Sequence, residues 1–404
     1  MFSAGSSRAR PRPGDEERSA TLKPWVRIAL LLFCVGWGAN HFVALLLVYK
    51  GTLALDAAAP AALLGMYALG LVPGLLLSGP LSDRYGRRAL VFPATVVTLL
   101  GSALLGVGGG SFKALLIGRL LYGIGAGAAM NPGAVWLLDL SAGAAPGAGA
   151  RRATLALSAG FGFGPLLSGF LAQYGPRPTL LPYVVHLIAT AFIFALALRA
   201  PAPPRPPARP GPLLRIGLDR TNRGPFLRGV VWMAPFVFAF PGIAFATLPA
   251  LAGGKIQPSY VGALAALTLA AGMAAQPFTR RIAPTAAARA GLLVGATGVL
   301  LGAGAVVWHA ALPLLAAAVL LGVGYGVCMT SGLRLVEALS RPETRAGLAG
   351  LYYVLTYAGF TTPLLLALAA RHVTPTATLL GVAALALCAA AALRAPPVGR
   401  PGSP

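Results

Sequence analysis

Long apolar runs alternate with short polar breaks along the chain. They lie at residues 25–49, 58–81, 89–109, 113–138, 152–174 and 179–198, then at 229–251, 258–279, 287–307, 310–333, 346–370 and 375–393. A helix needs about 20 apolar residues to cross a hydrocarbon core about 30 Å thick. The pattern therefore predicts an all-α polytopic membrane protein with twelve transmembrane helices in two six-helix bundles, residues 25–199 and 229–394. The first run exceeds the apolar core of about 7–15 residues of a cleaved signal, so it is expected to stay as the first helix. Residues 1–24, rich in Arg and Pro, read as a disordered cytoplasmic tail. Residues 200–228 contain Pro201-Ala202-Pro203-Pro204-Arg205-Pro206-Pro207 and read as an extended cytoplasmic Pro/Arg-rich linker. Residues 395–404 form a second cytoplasmic tail.

Composition agrees with lipid as the solvent. Of the 404 residues, 57% are hydrophobic and only 10% charged, against about 25% charged in soluble domains. The net charge of +23 would suggest nucleic acid in a soluble chain. Here the basic residues sit between apolar runs, as loop charges do in membrane proteins, so no nucleic-acid partner is expected. With the N-terminus placed in the cytoplasm, all but six of the 32 Lys and Arg fall on the cytoplasmic side; the exceptions are Lys50, Lys113, Arg119, Arg177, Lys255 and Arg371. Cys34, Cys328 and Cys388 lie far apart inside apolar runs, and the four His form no ligand spacing. No metal, disulfide or cofactor is expected.

The two halves repeat. Gly123-Ile124-Gly125-Ala126-Gly127 recurs as Gly322-Val323-Gly324-Tyr325-Gly326, at an offset of 199. Asp139 precedes Pro165 by 26 residues, and Glu337 precedes Pro363 by the same 26. Parallel six-helix repeats are a known transporter plan, with the binding site at their interface near the midplane.

Between the second and third runs stands Gly79-Pro80-Leu81-Ser82-Asp83-Arg84-Tyr85-Gly86-Arg87-Arg88. A short connection here needs Gly86 for a tight turn, and Asp83 can pair with Arg87. The stretch resembles the signature loop of the major facilitator superfamily, G-x-L-x-D-R-x-G-R-[RK]. In that family the loop acts as a conformational latch, which the resemblance carries to Gly79, Asp83, Arg84, Gly86, Arg87 and Arg88. The family acid at the inner end of the fourth helix falls on Asp139. The counterpart in the second half, Gln276-Pro277-Phe278-Thr279-Arg280-Arg281, keeps the basic pair and loses the acid.

Two further motifs extend the resemblance. Arg119 followed by a small-residue run resembles the family's second motif. Either it faces the protein or a water path, or it snorkels to the nearer membrane surface. Gly160, Gly164, Pro165 and Gly169 resemble the antiporter motif G-x-x-x-G-P-x-x-G-G, with Ser168 in place of one Gly. Pro165 should kink the fifth helix, and the glycines should admit the eighth. In the family this motif marks exporters of drugs and metabolites.

For the substrate or proton pathway, the candidates are Asn40 and His41 in the first helix, with Arg119, Tyr122 and Tyr357. All nine acidic residues fall in tails, loops or helix ends. This departs from the proton-driven exporters of the family, which place a carboxylate inside a helix. If a proton is the coupling ion, His41 leads, because histidine changes charge near neutral pH, and Asp56 comes second. Trp136, Tyr325, Tyr352, Tyr353 and Thr356 are expected to help line the cavity. Trp232, Phe236 and Phe240 at spacing four make one face of the seventh helix aromatic, facing lipid or ligand.

The expectation is a secondary active exporter of a small, partly apolar organic molecule, working by proton antiport and rocker-switch alternating access; the alternative is an importer or facilitator. It should be a monomer in the plasma (inner) membrane, with the bilayer and a small-molecule substrate as partners. The Ala- and Arg-rich composition points to a bacterial source. No enzyme constellation or nucleotide-binding loop is present in the sequence.

Overall fold

The computed structural model describes residues 22–55, 59–145, 147–203, 218–252, 256–341 and 345–393. Residues 1–21, residues 204–217 of the linker, the second tail and the candidate Asp56 lie outside the described residues. The first bundle comprises α1 (Pro24–Thr52), α2 (Ala59–Tyr85), α3 (Arg87–Val107), α4 (Phe112–Asp139), α5 (Ala148–Tyr174) and α6 (Leu181–Ala197). The second comprises α7 (Arg223–Leu251), α8 (Pro258–Arg281), α9 (Pro284–Val307), α10 (Ala311–Leu339), α11 (Arg345–Ala369) and α12 (Pro375–Ala392). Eleven are long and apolar enough to cross a membrane, and α6 is a shorter apolar helix of 17 residues. The architecture is the expected all-α polytopic one. The end carrying Pro24, Gly86 and Ala200 is termed the near face, and the end carrying Thr52, Ser111 and Tyr174 the far face.

Local chemistry sets the helix ends. The Ser111 hydroxyl accepts from the Ala114 N–H and opens α4, and Thr374 does the same for α12 through Ala377. Proline occupies the first turn of α1, α8, α9 and α12, where its missing N–H costs nothing. The expected loop 79–88 is in fact helical through Tyr85, and the chain reverses at Gly86 alone. Gly86 has φ +92°, which side chains rarely adopt, so the turn needs glycine there.

Two helices depart from regularity in ways their hydrophobicity does not announce. α1 is interrupted at His41, between α-helical segments Pro24–Asn40 and Phe42–Thr52. α7 begins at Arg223 rather than 229 and contains π-helical turns at Leu227–Val231 and Ile243–Thr247. A π-turn inserts one residue and rotates the rest of the helix relative to the turns before it. The aromatic stripe is therefore not a single face. Trp232 is 55% exposed, Phe236 is half-buried and Phe240 is fully buried against Gly295.

Close packing explains the repeated glycines. Gly123 and Gly127 on α4 face the Tyr67 and Leu71 carbonyls of α2. Gly322 and Gly326 on α10 face the Thr268 and Gly272 carbonyls of α8. The same pair of positions, 199 residues apart, thus makes the same joint in each half, and a Cβ at any of them would collide with backbone.

The halves meet along α5 with α8 and α2 with α11. Gly169 faces the Pro258 carbonyl, Gly262 faces the Pro165 carbonyl, and the Ser259 N–H donates to Gln173 Oε1 at 3.2 Å. Gly160 and Gly164, expected to admit the eighth helix, instead face the Phe33 and Trp37 carbonyls of α1. The reason is geometric: one glycine stripe on α5 serves the first bundle and only its far-face end serves the seam. Toward the far face a single apolar cluster draws on both halves, with Phe42, Tyr49 and Leu63 packed with Phe245, Val261 and Ala265. A near-face cluster of Ile28, Val91, Trp136 and Ala200 belongs to the first half alone, and the second half has one core through its full depth, from Phe226 and Leu393 to Leu248 and Val306. α2 and α11 also touch where Leu76 meets Gly350.

Candidate functional site

At the near face, Arg87 binds two acids. Its Nη1 lies 3.2 Å from Asp83 Oδ1 and its Nε 3.2 Å from Asp139 Oδ2. This joins the end of α2, the start of α3 and the end of α4. The acids are 65% and 36% exposed, so water and salt screen the pairs, each contributing about 0–1 kcal/mol. That is a bias between conformations rather than a lock. Arg88 does something else. Its guanidinium donates to the Leu198 carbonyl at 2.9 Å and the Ala200 carbonyl at 3.3 Å, capping α6. Arg27 adds a bond to the Arg199 carbonyl, and Trp136 Nε1 one to the Pro201 carbonyl, so the start of the linker is tied to the first bundle. Arg84 sits over the Tyr85 ring. Of the latch candidates, Asp83, Arg87 and Asp139 come together while Arg84 and Arg88 stand apart from that cluster.

Inside the first bundle lies a dry polar cluster. Arg119 is 1% exposed, which removes the snorkelling alternative. Its Nε donates to the Leu63 carbonyl at 3.2 Å and its Nη1 to the Ala39 carbonyl at 3.1 Å. The rings of Phe42 and Tyr67 cover it at 4.6 and 4.4 Å. The Ala39 carbonyl lies two residues before the break at His41, where the α1 helix is interrupted. Each charged hydrogen bond is worth about 1.5–3 kcal/mol and each ring about 0.5–2. Together they exceed the roughly 2.5–3.5 kcal/mol cost of an arginine in a membrane helix.

His41 is fully buried next to this group, its ring 4.6 Å from Tyr183 and 4.9 Å from His186. Neither of its ring nitrogens has a hydrogen-bond partner among the described residues, nor has Trp37 Nε1. His186, which sequence reasoning did not select, is held by Ser102 at 3.0 Å, Thr190 at 3.1 Å and the Cys34 carbonyl at 3.1 Å. Gly38 permits this crowding, since a Cβ there would strike the Tyr122 hydroxyl and His186. Tyr122 donates to the Val35 carbonyl at 3.0 Å. Asn40 is half-buried and donates to the Phe161 carbonyl at 3.4 Å. Among the described residues no group of three His, Cys, Asp or Glu side chains is placed to hold a metal ion.

The second bundle presents rings without charge. Phe238 of α7 stacks on Tyr357 and Phe360 of α11 at 4.6 and 4.7 Å, with planes within 15°. Tyr325 of α10 lies 5.9 Å from Phe238, and Tyr353 lies 6.5 Å from Tyr357. Gly359 lets α11 touch α7 here; a Cβ would collide with the Pro235 carbonyl. Tyr357 also packs on the first-half cluster of Val35, Tyr67 and Met130, so the stack sits at the seam. Three expected lining residues are instead packing residues. Trp136 and Tyr352 are fully buried, with Tyr352 donating to the Met329 carbonyl, and Thr356 donates to the Tyr353 carbonyl. The spacing-four stripe passed over Phe238 because it stands two residues from Phe236 and Phe240, on another side of the same α-helical segment.

Comparisons with known proteins agree with this architecture. A family model described as the Major Facilitator Superfamily matches residues 28–254, more than half of the chain. The glucose transporter GlcP of Staphylococcus epidermidis is 31% identical over 98 residues, covering 24% of this chain and 22% of that protein. Probable polyol transporter 3 of Arabidopsis thaliana is 30% identical over 112 residues, covering 28% and 21%. The chain thus spans about a fifth of the length of these curated relatives. Among solved structures, a point mutant of a peptide transporter POT superposes with TM-score 0.75 at 15% identity, over 91% of this chain and 93% of that one, a likeness of fold. With the signature residues, the twelve helices and the family match in agreement, the chain belongs to the Major Facilitator Superfamily.

Proposed function

We propose that the protein is a secondary transporter that carries a small uncharged organic solute by alternately exposing a site between its halves. One observation carries this reading. The far-face apolar cluster joins both bundles, whereas the near-face cluster of Ile28 to Ala200 belongs to the first bundle alone and the second bundle's own core, from Phe226 to Leu393, takes in no first-half residue. A seam packed through a shared core at the far face, with lighter contact such as Leu76 on Gly350 toward the near face, fits rocking of rigid halves. The Asp83–Arg87–Asp139 cluster stiffens the near face of the first half as a latch. The basic bias of the near-face loops supports a cytoplasmic near face with both termini inside.

Export by proton antiport is supported by the α5 motif of Gly160, Gly164, Pro165 and Gly169. It would need His41, with His186 beside it, as the titrating pair, since the described acids stand at helix ends or in loops. Facilitated movement or uptake is the second reading, favoured by the sugar and polyol transporters among the relatives. The test uses Gln173→Cys with Ser259→Cys, which face each other across α5 and α8. Cross-linking this pair should stop solute counterflow in vesicles reversibly and leave near-face cysteines reactive. Counterflow unchanged by the cross-link would overturn alternating access. Solute accumulation that tracks an imposed pH gradient, and is lost in His41→Ala, separates antiport from facilitation.

A further inference from the structure

We infer that the second bundle holds the recognition subsite, and that it selects an uncharged molecule containing a planar aromatic ring rather than a free sugar. This rests on the transport reading for its purpose, but its geometry stands separately. Phe238, Tyr357 and Phe360 come from two helices and hold their planes within 15° of one another. Planar rings favour offset stacking on such a surface. Phe238, Tyr325, Tyr353 and Tyr357 are half-buried, not sealed. The hydroxyls of these three tyrosines make no hydrogen bond to a described residue, and none is among the side-chain atoms both unpartnered and shut off from solvent. They are the polar groups available at the rim of a stacked ring.

Charge is screened from this surface. The one buried cation nearby, Arg119, is covered by Tyr67, whose ring lies 4.4 Å from the guanidinium and meets Phe360 edge-on at 6.2 Å. The first-half cluster against which Tyr357 packs includes Leu75, Leu157, Phe161 and Met130, all apolar. A pyranose carries a hydroxyl on nearly every carbon, and each one buried without a partner costs affinity. Three tyrosine hydroxyls and the half-buried Asn40 cannot satisfy that many. A planar ring with one or two carbonyl or hydroxyl groups can be satisfied fully.

The experiment measures equilibrium binding to the full-length protein in lipid nanodiscs. The probes are caffeine, an uncharged planar bicycle with carbonyl acceptors, and D-glucose, uncharged and non-planar. Caffeine should bind saturably and glucose should not compete. Phe238→Leu should weaken caffeine about tenfold through lost stacking. Tyr325→Phe and Tyr357→Phe, which keep the rings and hence the packing, should each weaken it about 2- to 10-fold if the hydroxyl donates. No saturable caffeine binding, caffeine binding indifferent to all three variants, or glucose binding that these variants weaken, would each overturn the subsite. The two readings fail differently. Cross-link-sensitive glucose counterflow without caffeine binding keeps transport and removes the ring subsite. Variant-sensitive caffeine binding in a protein whose counterflow ignores the Gln173–Ser259 cross-link does the reverse.

Discussion

The two bundles share a joint and build it from different chemistry. In the first, the end of α2, the start of α3 and the end of α4 are joined by Arg87 with Asp83 and Asp139. In the second, Arg334 near the end of α10 donates to the Thr279 and Ile282 carbonyls at the end of α8, at 2.6 and 2.9 Å. An ion cluster has been replaced by an arginine on backbone. A second joint is preserved in kind: Arg88 at the start of α3 caps α6, and Arg289 in the first turns of α9 donates to the Leu393 carbonyl that ends α12. Interiors differ more. The first half buries a cation and two imidazoles, and the second presents stacked, half-buried rings. Salt can loosen the exposed ion pairs of the first joint, whereas the Arg334 joint rests on carbonyls.

Four experiments would break or sharpen this contrast. The largest effect is expected where the halves are alike. Gly123→Val and Gly322→Val each drive a side chain into a helix backbone, at Tyr67 and Thr268 respectively. Both should abolish the monodisperse folded species in size-exclusion chromatography. If only one does so, the repeat is not structurally equivalent.

Next is Arg119→Leu, which should destabilise the first half by about 3 kcal/mol, the worth of its charged hydrogen bonds. Arg119→Lys should recover only part, because a point cation cannot serve both carbonyls and both rings. Thermal unfolding in detergent measures this, and unchanged melting would show that the cluster is not structural.

Third, Arg334→Ala should cost about 1–3 kcal/mol, independently of salt, since its partners are carbonyls. Smallest, Arg87→Ala should cost about 0–1 kcal/mol at low ionic strength and nothing measurable at 1 M salt, where the screening length is about 3 Å. Equal salt responses of these two variants would erase the distinction between the joints.

Much of this was legible in the residues. Twelve apolar runs gave twelve helices because length and hydropathy are direct requirements of the bilayer. The repeated glycines were legible because backbone contact admits few other residues. Gly86 announced its turn, and Asp83 its pairing with Arg87. Other features were not readable. The π-turns of α7 depend on tertiary packing, and Phe238 stands on another side of its α-helical segment from the spacing-four stripe, so only its neighbours on α11 mark it. Arg88 fills the last position of the signature loop, and the partners it holds, carbonyls more than 100 residues away, could not be read from that motif. His186 is a single polar residue in an apolar run, and only its contacts with Ser102, Thr190 and Cys34 give it meaning.

The buried Arg119 also constrains how the chain is made. Ala39 and Leu63, whose carbonyls receive it, both precede it in sequence, as do the rings of Phe42 and Tyr67. During synthesis these acceptors enter the bilayer before the guanidinium does. The cation therefore arrives at a prepared seat and need not wait in lipid. Assembly in the opposite order, as in a circular permutant that translates α4 before α1 and α2, would strand the charge, and membrane insertion of α4 should become the inefficient step of biogenesis.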